Sequence, residues 1–225
     1  MKVAIIPARG GSKRIKKKNI KIFYGQPMIY WTIKKIKESK IFDKIVVTSD
    51  DNKILSYVKN KVDIVINRPK SLSDDFTPTQ PVIVHAIKWL NKSGVKVKVV
   101  SCIYPCNPFL EVSDLKKSLN LLKKNKYSKF VFPITKYSHP IQRAFSVNIK
   151  NELNLREKKE LTRTQDLKEF YFDAGQFYFG TAKNWLRHKH IHKNAVGHII
   201  PSSRVVDIDN LEDWVRAELL FNKLV

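Results

Sequence analysis

"KVAIIPARGGSKRIKKKN", residues 2 to 19, pairs two kinds of sequence that seldom meet: an apolar run, Val3 to Ile6, opens directly into two glycines, a serine and six basic side chains. The run is too short and too continuous for an amphipathic helix, and it reads as a strand buried on both faces. Two glycines just past its carboxyl end let the chain turn without a Cβ and bring backbone N–H groups close to a ligand, the way loops and helix N-termini hold phosphate oxygens. Arg9, Lys13 and Arg14 add charge there. The loop is not a Walker A, because Ile15 stands where the second glycine belongs, and G-x-G-x-x-G is absent as well. A merely solvated basic turn fits less well, since the continuation through Asn19 and Ile20 reads as buried.

Beyond this segment, apolar runs rich in β-branched residues recur at 44 to 48, 62 to 66, 97 to 103 and 129 to 134. Helical spacing occupies 28 to 40, 52 to 60, 80 to 92 and 113 to 124. Such alternation predicts an α/β fold of three layers, with right-handed crossovers and a mostly parallel sheet that binds its ligands beyond the carboxyl ends of the strands. The rhythm breaks over 136 to 172, where polar stretches, including Arg156 to Glu160, predict a hairpin or arm used in dimer contact. The core pattern returns at "GQFYFG" (175–180), near 196 to 200, and at "RVVDIDN" (204–210), read as a strand. A last helix is expected with Asn210 as N-cap and Asp213 at N3, its Trp214, Leu219 and Leu220 packed back on the sheet. One domain over 1–225, with the arm inserted, is the expected organisation.

Composition narrows the function classes. The chain of 225 residues carries 43 Lys and Arg against 20 Asp and Glu, a formal charge of +23. That charge invites nucleic acid, yet the lysines spread over predicted helix faces and turns, and no RRM, KH or zinc-finger signature is present. No nucleic-acid partner is expected, whereas small anions such as a nucleoside triphosphate or an acidic sugar are. With no leader-like apolar region and no run of membrane-spanning length, a cytoplasmic protein without a membrane partner is expected. Cys102 and Cys106 cannot build a zinc site alone and read as reduced structural thiols. His188, His190 and His192 in "HKHIH" lack a neighbouring carboxylate or thiol, and His85 reads as a helix residue rather than a base.

From Ala8 to Asn19 the chain matches A-R-x-x-S-K-x-x-x-x-K-N, and "RPKSLSDDFTPTQPVIVHAI", "RTQDLKEFYFDAGQFYFG" and "VDIDNLEDW" extend the match over most of its length. In these segments it resembles the cytidylyltransferases that activate acidic sugars, the CMP-sialic acid synthetase group, and within it the pseudaminic acid branch. Gln80 departs from that branch, replacing a threonine before Pro81. The resemblance implies a nucleotide-diphospho-sugar transferase type of Rossmann-like sheet, a homodimer, and transfer of CMP from CTP to a nine-carbon nonulosonic acid with release of pyrophosphate. Legionaminic, sialic and 3-deoxy-octulosonic acids remain alternative acceptors. A glycosyltransferase using an acidic pair is the alternative of another class.

Such a transfer depends mostly on positioning and on neutralising charge as it moves to the leaving group. Arg9, Ser12, Lys13 and Lys18, with Ala8 and Gly10 in the same loop, are the candidates to hold the triphosphate, and Lys18 or Arg9 to stabilise the transition state. The resemblance carries Asn19, Arg68 and Thr79 to the base and ribose. Asp74 and Asp75 read equally well as turn residues. Asp207 and Asp209 match the family's metal-binding D-x-D; on a strand, residues two apart share a face and could converge on one Mg2+ or Mn2+. Tyr104 and Gln142 stand where sialic-acid members carry glutamine and lysine. Arg143, Arg163 and Gln176 are the candidates for the sugar's carboxylate and N-acyl groups, since guanidinium pairs with carboxylate; otherwise Arg163 pairs with Asp166 on the arm.

Overall fold

The computed structural model describes residues 1–155 and 163–223. In chain order the elements are β1 (Lys2–Pro7), β2 (Ile22–Phe23), β3 (Gln26–Pro27), α1 (Met28–Ser39), β4 (Lys44–Ser49), α2 (Asn52–Val58), β5 (Ile64–Asn67), α3 (Thr79–Lys92) and β6 (Val99–Ile103). There follow α4 (Val112–Lys124), β7 (Phe130–Lys136), β8 (Phe145–Val147), β9 (Leu153–Leu155), β10 (Tyr171–Asp173), β11 (Phe177–Thr181), α5 (Ala182–Arg187), β12 (Ala195–Ile199) and α6 (Leu211–Asn222).

The apolar runs become the sheet because each has two faces to bury. Along β1, Ala4 and Ile6 pack with Ile29, Ile33 and Ile36 of α1 and Leu115 and Leu119 of α4. Val3 and Ile5 face the opposite way, toward Ile83, Ile87 and Leu90 of α3 and Trp185 of α5. Helices on both faces therefore cover a sheet ordered β12, β7, β11, β6, β1, β4, β5, with β10 joining β7 beyond β11. The pairs of β1 with β4 and β6, of β4 with β5 and of β12 with β7 are parallel; β10 and β11 run antiparallel to their partners. Burying each isoleucine of these layers contributes about 1.5–3 kcal/mol, so the sheet is a rigid base for the loops above it.

The last helix departs from expectation. Its start is as read, a capping box in which Asn210 and Asp213 each accept from the other's backbone N–H. Its apolar face, however, is Trp214, Ala217 and Phe221, which pack with Ile15, Phe23, Met28 and Phe109 in a separate cluster rather than on the large sheet. Leu219 is 66% exposed and Leu220 only partly buried. The reason is the β2–β3 hairpin, which turns through Tyr24 and Gly25 with φ of 46° and 72° and sets the Phe23 ring edge-on to Trp214 and Phe221.

"RVVDIDN" is a second correction, for no strand pairs with residues 205–209 among the described residues. The segment runs unpaired from a short 3-10 turn, Ser202–Arg204, to the cap of α6. Within 136 to 172 the described residues form a β8–β9 hairpin with Phe145, Val147 and Leu153 exposed, and Tyr171–Asp173 already belongs to the main sheet. The stretch Arg156 to Glu160 lies outside the described residues. Among those described, no helix is long and apolar enough to cross a membrane.

Candidate active site

A cavity of about 640 Å³ opens beyond the carboxyl ends of β1, β5 and β6, within the range of small-molecule sites. The opening loop forms one wall. Arg9 Nη1 donates to Asp75 Oδ1 at 2.8 Å and to the Asp74 carbonyl at 3.0 Å, and Lys13 Nζ meets Asp75 Oδ2 at 2.5 Å. These contacts hold the Asp75 carboxyl below its ordinary value, the Lys13 hydrogen bond most of all. Ser12 lines the same wall.

Lys17, with φ of 54°, reverses the chain into a 3-10 turn that brings Lys18 and Asn19 inward. Lys18 Nζ donates to the Ile208 carbonyl and lies 3.5 Å from Asp209 Oδ1, while Arg14 holds Asp209 Oδ2 at 2.8 Å. Asn19 is buried; its Nδ2 donates to the Arg9 carbonyl at 2.8 Å and its Oδ1 accepts from the Cys106 thiol at 3.2 Å. Burial pushes that thiol up to about 12, so it serves as a proton-bearing donor that fixes the Asn19 amide.

Ala8 and Gly10 do not line the cavity. Ala8 is buried and its N–H donates to the Thr48 carbonyl at 2.9 Å. The Gly10 N–H is committed to Asp50 Oδ1 at 3.1 Å rather than offered to a ligand. A Cβ on Gly10 would lie 2.7 Å from the Asp51 side chain, which caps α2, so this glycine is there for close approach to that cap.

Arg68, just past β5, is held by Asp50 at 3.2 Å and Ser73 at 3.0 Å; burial lowers its pKa and Asp50 opposes the shift. Thr79 opens α3, and its hydroxyl shares a hydrogen bond of 2.9 Å with Tyr104, the first residue after β6. Burial pushes the Tyr104 phenol up to about 12. Behind it, buried Tyr178 donates to Asp173 Oδ2 at 2.8 Å, an oxygen His192 also reaches at 2.8 Å. Gln176 is buried in the cavity wall, its Nε2 donating to the Arg204 carbonyl at 2.8 Å and its Oε1 without a partner among the described residues.

The acidic pair lines the cavity beside the Lys18 end of the loop. Burial, and then the neighbouring Asp209 carboxylate, raise the Asp207 carboxyl. A pair of carboxylates suits a cation, and hard oxygen donors suit Mg2+. Among the described residues no group of three or more His, Cys, Asp or Glu is gathered that could hold a metal ion, so these two carboxylates are the hard donors at hand.

The arm residues are not brought here. Gln142 is buried beside its own loop, its Nε2 donating to the Lys168 carbonyl at 2.7 Å; Arg143 and Arg163 are exposed and away from the cavity lining. The Asp166 N–H donates to the Arg163 carbonyl, and no ion pair joins those two side chains. Arg14, expected only as added charge on the loop, lines the cavity, as do two residues not expected there, Cys106 and Asn107. The usable signal for the last two was their place directly after β6, at a parallel strand's carboxyl end.

Comparison with known proteins gives a consistent set. A family model described as cytidylyltransferase matches residues 3–202. The chain is 39% identical to a pseudaminic acid cytidylyltransferase of Campylobacter jejuni, over 97% of this chain and 95% of that one. It is 26% identical to a CMP-N,N'-diacetyllegionaminic acid synthase of Legionella pneumophila, again over 97% and 95%. In fold it resembles a solved CMP:2-keto-3-deoxy-manno-octonic acid synthetase complexed with CTP, with a TM-score of 0.71 at 15% identity, covering 100% of this chain and 99% of the other.

Proposed function

Because the chain belongs to the cytidylyltransferase family, we propose that it transfers CMP from CTP to the anomeric hydroxyl of a nonulosonic acid, pseudaminic acid first among them, and releases pyrophosphate. The observation that carries this reading is the cavity itself. A cationic loop after the first strand and an acidic pair that meets its Lys18 end line one space of about 640 Å³, in a chain 39% identical over nearly its full length to a protein of that activity.

In the reaction the sugar oxygen bonds to the α-phosphorus while the bond from that phosphorus to the β-phosphate bridging oxygen breaks. Negative charge then accumulates on the departing pyrophosphate, and Arg9, Ser12, Lys13 and Lys18 would hold and neutralise it. Lys18 and Arg9 are the groups we assign to the transition state. Asp207 and Asp209 would hold Mg2+ or Mn2+, which supplies Lewis-acid polarisation of phosphate oxygens when bound. Asn19, fixed at both ends of its amide, together with Arg68 and Thr79, would receive the nucleoside. Tyr104 and Gln176, whose Oε1 has no partner among the described residues, would meet the sugar, the latter as an acceptor for a hydroxyl or amide N–H. With their pKa values raised to about 12, Tyr104 and Cys106 keep their protons and are not the base for the attacking hydroxyl.

A homodimer belongs to the same reading, with the exposed apolar hairpin as its contact and the exposed Arg143 and Arg163 on the same arm. So does a cytoplasmic site of action, where CTP is available. The test is to incubate the chain with CTP, Mg2+ and a panel of nonulosonic acids, measuring pyrophosphate and the mass of the CMP-sugar. Highest turnover with pseudaminic acid is expected. Product only from a legionaminic, sialic or octulosonic acid would move the acceptor, and no pyrophosphate with any of them would overturn the reading.

A further inference from the structure

Asp207 is carried on a segment that no strand holds, so something else must fix it. Downstream the fixing is plain: Asp209 N–H and Asn210 N–H both donate to Asp213 Oδ2 at 3.0 Å, and Ile208 is buried beside Trp214. Upstream the chain is anchored at Arg204. Its guanidinium donates through a short contact to Asp114 Oδ2, in the first turn of α4, while His198 of β12 lies 3.0 Å from Asp114 Oδ1. Asp114 is 2% exposed. The carbonyl of the same Arg204 accepts the Gln176 amide, whose backbone carbonyl in turn accepts the Tyr104 N–H at 3.0 Å.

A buried ion pair is a costly way to gain stability, because desolvation cancels much of the attraction. Nor do α4 and β12 need it to stay in place. Leu115, Leu119 and Leu122 bury α4, and β12 is paired with β7 through five residues in register. Between Arg204 and Asp207, by contrast, the chain pairs with no strand among the described residues, and apart from the Val205 N–H on the Ser202 carbonyl and the packing of Val206 on the α6 cluster, Arg204, through its side chain and its carbonyl, is its link to the sheet layers.

We propose that Asp114 and Arg204, backed by His198, are positioning residues whose buried clamp sets the place of both Asp207 and the Gln176 amide, so that metal affinity and sugar affinity depend on groups that touch neither ligand. This rests on the metal and sugar roles assigned in the preceding section. Partners of this kind behind metal ligands change metal affinity about 10–100-fold when removed.

The experiment titrates Mn2+ into the protein by electron paramagnetic resonance and measures KM values, for wild type, Arg204→Met, Arg204→Lys and, as a control that destabilises away from the clamp, Thr181→Ala, which removes the α5 cap. The expected result is about tenfold weaker Mn2+ binding and a raised sugar KM in Arg204→Met, with partial recovery in Arg204→Lys and no change in Thr181→Ala. The CTP KM at saturating metal should move less than about twofold. Should Arg204→Met fail to fold, the near-isosteric Asp114→Asn takes its place with the same expectation. Unchanged Mn2+ affinity in the folded variant, an equal loss in Thr181→Ala, or a wild type that binds no Mn2+ would overturn the clamp. Clamp-dependent Mn2+ binding in a wild type that makes no CMP-sugar would support it while removing the substrate reading.

Discussion

Lys18 and Asp209, 191 positions apart in the chain, face each other across 3.5 Å at the cavity wall. Arg14 reaches the other oxygen of the same carboxylate at 2.8 Å, and Asp75 stands between Arg9 and Lys13. The cations we assign to phosphate, Arg9, Lys13 and Lys18, are thus paired with carboxylates, and Asp209, which we assign to the metal ion, is paired with cations. On those assignments, substrate binding would be an exchange of partners, with each carboxylate offsetting the repulsion among the loop's cations.

Replacing Lys18 tests the catalytic half of that exchange. Lys18→Ala should lower pyrophosphate release about 10²–10³-fold, the usual loss when a charge-stabilising donor is removed. The side chain is not part of the core, so circular dichroism and the melting temperature should stay close to wild type. Near-normal turnover would remove Lys18 from the mechanism.

Asp75 behaves as a placeholder for phosphate if the exchange is real. Asp75→Asn should lower the KM for CTP about two- to fivefold at low ionic strength, with the gain fading as salt screens the contact. A rise in KM measured by initial rates would instead make Asp75 a contact to the nucleotide.

At the acidic pair, Asp209→Asn should reduce turnover by about two orders of magnitude or more, since one of two hard ligands is lost. Raising Mg2+ should recover part of the rate. A variant with wild-type rate and unchanged metal dependence would show that the pair does not hold the ion.

Acid stability reports on Asp114. Burial alone would raise its carboxyl, but the donors from His198 and Arg204 outweigh that and leave it below its ordinary value. A depressed carboxylate contributes stability that is present above the unfolded value of about 3.9 and is lost as pH falls through the lower folded one. The melting-temperature gap between wild type and Asp114→Asn, open at pH 7, should close as pH drops below about 4. A gap independent of pH would mean that charge at Asp114 is irrelevant.

The parallel core was legible because its signal is local. Val3 to Ile6, or Val46 and Val47, are continuous apolar runs, and only a strand covered on both faces uses them. The loop from Arg9 to Asn19 was legible for a related reason, its place past such a strand. What escaped depends on distant partners. Alternating Val206, Asp207, Ile208 and Asp209 carries a strand's pattern, yet whether a neighbour pairs with it is not written in those residues, and here Arg204 and the α6 cap hold it instead. The glycine at position 10 announced a tight approach, but to Asp51 rather than to phosphate. Leu219 has helical spacing like Trp214, and the β2–β3 hairpin chose which of them is covered. Arginine at 143 and 163 suited a carboxylate by chemistry alone, and the chain path keeps both out of the cavity lining.

Calorimetric titration of CTP and of cytidine, each with Mg2+, into wild type and Arg9→Ala asks directly whether the loop after the first strand grips the triphosphate. The expected result is that CTP binds wild type far more tightly than cytidine, and that Arg9→Ala weakens CTP about tenfold or more while leaving cytidine unchanged. Equal losses for both ligands, or an undiminished affinity for CTP, would contradict it.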